Sequence, residues 1–133
     1  MYNVNFLEKE NLIYVQIAGG VSHIDIINFL DSIRKNDNIP KKSKLLTDFR
    51  EASLENKDIS GIKEIVDYFK STFYGKFEFL QWANVANSPL LNVGVILFVD
   101  SAKPENSDYK VFTTLEAALF WLGVPELKNA LIS

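Results

Sequence analysis

Apolar and polar residues alternate early in the chain. Across residues 12–18, Ile13, Val15 and Ile17 fall on one side, and Leu12, Tyr14, Gln16 and Ala18 on the other. That period of two predicts a strand with its branched side facing the core. Residues 2–7 predict a companion strand, and the short link 8–11 makes the two an antiparallel hairpin. Gly19-Gly20 is expected to end it. The period then lengthens. Ile26, Phe29, Leu30 and Ile33 recur at helical spacing, preceded by the capping box Ser22-His23-Ile24-Asp25. Arg34 and Lys35 close this helix where cations suit its dipole.

Residues 36–44 predict a polar loop, 44–49 a short buried strand and 50–57 another loop. A second helix carries Ile62, Ile65, Val66, Phe69 and Phe73 on one stripe, and 79–86 predict a strand. The segment 89–99 is apolar except for Asn92. By propensity it suits a strand, but Ser88-Pro89 is a good N-cap with proline at the first helical position. A crossover is also needed here, which favours a helix. Residues 110–112 predict a last strand. Thr113-Thr114-Leu115-Glu116 then reads as a second capping box before a helix with Leu115, Ala118, Leu119 and Leu122, stopped by Gly123 and Pro125. The order β-β-α-β-α-β-α-β-α predicts an α/β fold: one domain over 1–133, with a mixed, mostly parallel five-stranded sheet and about four helices.

Composition narrows the function. The 133 residues suffice for one self-supporting core, and the net charge of −3 disfavours general nucleic-acid binding. With no cysteine, disulfides and thiolate zinc sites are excluded, and a cytoplasmic setting is expected. No apolar run approaches the length of a transmembrane helix, and MYNVNFLEKE lacks the apolar region of a signal peptide. His23 is the single histidine, so neither a metal site nor a catalytic triad stands out, and no cofactor is expected.

Three stretches, NLIYVQIAGGV at 11–21, KLLTDFR at 44–50 and VFTTLEAALFWL at 111–122, resemble the SpoIIAA-like branch of the STAS superfamily, bacterial domains also labelled STAS/SEC14-like. The resemblance implies the same mixed-sheet fold and a non-enzymatic regulatory or protein-interaction module. In that superfamily, anti-sigma factor antagonists carry a D-S-S-G-L-type motif whose second serine is phosphorylated by a partner kinase. Here D-I-S-G-I matches with Asp58, Ser60 and Gly61, while Ile59 replaces the first serine. A phosphate there would add charge and displace a partner; alternatively, Asp58 and Ser60 merely begin a helix.

Other candidates come from placement. Asp48 and Arg50, two apart at a strand end, point to the same face and could hold a small polar ligand or simply pair. Arg34, Lys35, Lys41, Lys42 and Lys44 form a basic cluster that could meet anionic lipid heads or remain a solvated loop. A helix apolar all round needs cover on both sides. Leu91, Val95 and Phe98 are taken as its outer contacts in a homodimer, with a lipid or the tail 124–133 as other covers. The SEC14-like label implies a small-molecule or lipid carrier instead. It requires an apolar pocket of about 300–1,000 Å³ lined by aromatics such as Phe73, Phe77, Phe79 and Trp82.

Overall fold

The computed structural model describes residues 1–54 and 61–132. Five strands form one sheet in sequential order: β1 (Tyr2–Leu7), β2 (Leu12–Val21), β3 (Lys42–Leu54), β4 (Phe79–Val85) and β5 (Asp108–Phe112). β1 lies antiparallel to β2; every other neighbouring pair is parallel. The helices are α1 (His23–Arg34), α2 (Ile62–Tyr68), α3 (Pro89–Ala102), α4 (Leu115–Leu122) and α5 (Lys128–Ile132).

When parallel strands are added one after another in the same direction, right-handed crossovers deposit every connecting helix on the same face. α1, α2 and α3 accordingly bury one face of the sheet, around Ile13, Val15, Ile17, Leu45 and Trp82. The chain reaches the other face only after β5, where α4 covers Leu12, Tyr14, Leu46, Ala83 and Val85.

Local signals explain most boundaries. Ser22 and Asp25 complete the capping box reciprocally, which is worth about 1 kcal/mol. Ser88 and Pro89 do start α3, and the extended alternative for this segment is not what forms. Asn92, the one polar side chain before Asp100, donates from Nδ2 to the carbonyl of Ala86 at 3.1 Å, tying the helix to the end of β4. Gly123 ends α4 in the left-handed conformation that glycine adopts without penalty.

Five expectations are corrected. Gly19-Gly20 does not end the second strand, and residues 50–54 are not loop: β2 runs on to Val21 and pairs with residues 51–54 of β3 beyond a register shift between Gln16 and Ala18. The cap of α4 is Thr114, whose hydroxyl accepts from the N–H of Ala117, so the Thr113 box is one residue out of place. The second helix is not regular throughout: after α2 the backbone widens into a π-helical turn, Phe69–Phe73, which keeps both phenylalanines in the core. The tail does not cover α3. It forms α5, whose Leu131 packs on the α4 side of the sheet.

Candidate functional site

Parallel register decides which distant side chains meet. Gln16 of β2 lies opposite Asp48 of β3, so Tyr14 is the diagonal neighbour of Asp48 on the α4 face. The Tyr14 hydroxyl donates to Asp48 Oδ2 at 2.8 Å. Arg50 donates from Nε to Oδ1 at 2.9 Å and from Nη2 to Oδ2 at 2.7 Å, and its backbone N–H adds a 3.1 Å bond to Oδ1. Four donors thus engage both oxygens of a carboxylate that is only 2% exposed.

Burial alone would raise the Asp48 pKa, but the hydrogen bonds from Arg50 and Tyr14 outweigh it and hold the carboxyl below its ordinary range. Burial, with the bond to this carboxylate, pushes the Tyr14 phenol well above its own. The predicted pair therefore exists, but inside β3 and not at its end, because the strand runs on to Leu54, and Asp48 is spent on its neighbours. A ligand here would meet the partly exposed Arg50 instead.

A second polar group sits on the opposite face of the same strands. Thr47 and Asn84 are cross-strand partners among core residues. The Trp82 indole N–H donates to Thr47 Oγ1 at 3.2 Å, and the Thr47 hydroxyl in turn donates to Asn84 Oδ1. Sequence reasoning missed this triad. Its signal was a polar residue at a core-facing strand position: Thr47 shares the face of Leu45 and Phe49, as Asn84 shares that of Trp82 and Ala86.

Asp58 and Ser60 lie outside the described residues. Gly61 is described and precedes α2. A Cβ placed there would come within 2.5 Å of the Cβ and ring of His23 at the start of α1, so close packing gives this glycine a reason of its own. The His23 ring also reaches Glu64 of α2, with Nε2 2.8 Å from the carboxylate. Gly61→Ala is expected to lower stability by about 1–2 kcal/mol through this overlap, readable as a lower urea midpoint at unchanged slope.

Leu91, Val95 and Phe98 do not face outward. All three are buried on the inner side of α3, the stripe that also contains Gly94. The outward stripe is Leu90, Val93, Ile96 and Leu97, with Val93 49% exposed.

The aromatics expected to line a wide carrier pocket do not enclose one. Phe73 packs against both Phe77 and Trp82, and Phe79 is partly exposed at the start of β4. The cavity between the sheet and α1–α3 is about 50 Å³, well below the size of a lipid site.

In the basic cluster, Arg34 and Lys35 both pair with Asp31. Among the described residues, no group of three or more acidic, histidine or cysteine side chains is placed to hold a metal ion, and no helix is long and apolar enough to cross a membrane.

No protein-family model and no curated protein matches the chain. Among solved structures, it is similar to an uncharacterised DUF3478-family protein with a SpoIIAA-like fold from Shewanella loihica PV-4. The two share 16% identity over 92% of each chain, with a TM-score of 0.52. At that identity the likeness establishes architecture: the chain adopts a SpoIIAA-like fold.

Proposed function

We propose that the chain is a non-enzymatic interaction module that works as a homodimer through the outer face of α3. One observation carries this reading. Leu90, Val93, Ile96 and Leu97 form an exposed apolar stripe on a single helix, and the tail, the other cover within the chain, packs on the far side of the sheet. Exposed large apolar side chains are ordinary when scattered, whereas a contiguous stripe marks an association surface.

A second copy is the occupant that best suits it. The stripe carries no charge to select a partner of opposite sign, and Asp100 and Ser101 bound it at one end. Two such helices related by a two-fold axis present each other with the same apolar ridge. The non-enzymatic part rests on side chains already engaged: His23 with Glu64, and Asp48 with Arg50 and Tyr14.

Leu97→Glu tests this. Light scattering is expected to give a dimer for the natural chain and a 15.1 kDa monomer for the variant, with helix content unchanged. Phe120 of α4, 77% exposed on the opposite side of the sheet, is the control. If Phe120→Ser separates the copies and Leu97→Glu does not, the α3 interface is wrong.

A further inference from the structure

The cavity under α1, α2 and α3 ends on one unusual group. It lies toward the C-terminal ends of the parallel strands, among Phe29, Phe49, Ile65, Leu91, Val95 and Phe98. Asn84 also lines it, at 2% exposure. Its Nδ2 has no hydrogen-bond partner among the described residues. A buried amide without a partner is costly, and native interiors rarely keep one without a reason.

The direction of the polar chain fixes which end of the amide faces the cavity. An indole N–H can only donate, so Thr47 Oγ1 accepts from Trp82. The Thr47 proton then needs an acceptor, and Asn84 Oδ1 is the one in reach. This leaves the Asn84 NH₂ as a donor pointing into apolar space.

We infer that this cavity is a binding site for a small uncharged carbonyl compound, whose oxygen accepts from Asn84 Nδ2 while its alkyl part lies against the aliphatic and aromatic walls. Charge is disfavoured because the described residues of the lining supply no cation, and a carboxylate buried among them would be unpaired. Size is set by volume. At about 10–15 Å³ for each water-sized group, 50 Å³ takes about three to five heavy atoms. The site is independent of the dimer, since its walls are the inner stripe of α3 and not the outer one.

The test is a titration of ¹⁵N-labelled protein with 2-butanone, reading the Asn84 side-chain amide pair by NMR. 2-Methyl-1-butene, the same shape with the carbonyl replaced by an alkene, is the control. For so few atoms the Kd for butanone is expected on the order of 1 mM or weaker. The Asn84 pair should shift and saturate, with the alkene binding about tenfold more weakly for want of the hydrogen bond. Asn84→Leu should abolish that preference. The natural protein carries the decisive reading even if the variant does not fold: an Asn84 amide that does not respond to butanone, or equal affinities for ketone and alkene, overturns the assignment.

Discussion

Phe69→Ala is expected to destabilise the fold by about 4 kcal/mol, lowering its melting temperature by on the order of 15 °C for a chain of this size. Phe69 is fully buried in the π-helical turn after α2. Its ring lies 5.0 Å from that of Phe73, 5.8 Å from Trp82, 5.4 Å from Phe98 and 5.9 Å from Tyr109. It therefore joins the end of α2, β4, α3 and β5 at one point. Truncation removes the transfer energy, opens a cavity and breaks two edge-to-face contacts together, with Phe98 and Tyr109. Phe120→Ala makes the same chemical change on the surface and is expected to stay within about 0.5 kcal/mol. Paired urea denaturations measure the contrast; equal midpoints for the two variants would contradict the placement of the core.

Asp48→Asn is expected to cost about 3 kcal/mol at neutral pH, because it removes one side of a buried ion pair and leaves Arg50 uncompensated. The loss should depend on pH. The native carboxyl titrates below its ordinary range, so its contribution is fully present above the unfolded value of about 4. It fades as pH falls through the lower native value. The natural protein should therefore lose stability on acidification faster than the variant, and the gap between them should narrow below about pH 4. Urea midpoints at neutral pH and near pH 3 test this. A gap that stays constant would mean that the charge on Asp48 contributes nothing.

Much of the architecture could be read from sequence, and the misses have physical causes. The hairpin and α1 were legible because alternation and a capping box are local signals. α3 was legible from two residues, Ser88 and Pro89, against the strand propensity of residues 93–99. Which side of α3 faces inward was not. When nearly every residue is apolar, the stripes through Leu91, Val95 and Phe98 and through Leu90, Val93 and Leu97 have the same spacing, and only the packing on the sheet distinguishes them. The second half of β2 was missed for a related reason. Ala18, Gly19 and Gly20 are exposed, so no burial pattern marks them as strand.

The polar groups depend on register. Asp48 and Arg50 were paired correctly because they are two apart on one strand. Tyr14 joins them from 34 residues away, and Thr47 meets Asn84 from 37. Such meetings require the strand order and offset, which no local pattern contains. A polar residue at a core position was visible in both strands, but its partner was not.

The central claim is that two copies meet along the exposed face of α3. The chain has no cysteine, so Asp100→Cys accepts a single spin label at the end of the stripe. Helices packed face to face lie about 8–10 Å apart and rise about 1.5 Å per residue. Double electron–electron resonance should thus give a distance between copies of under about 30 Å, and Leu97→Glu should abolish it. A labelled protein with no coupling between copies, or with coupling that Leu97→Glu leaves intact, would contradict the account.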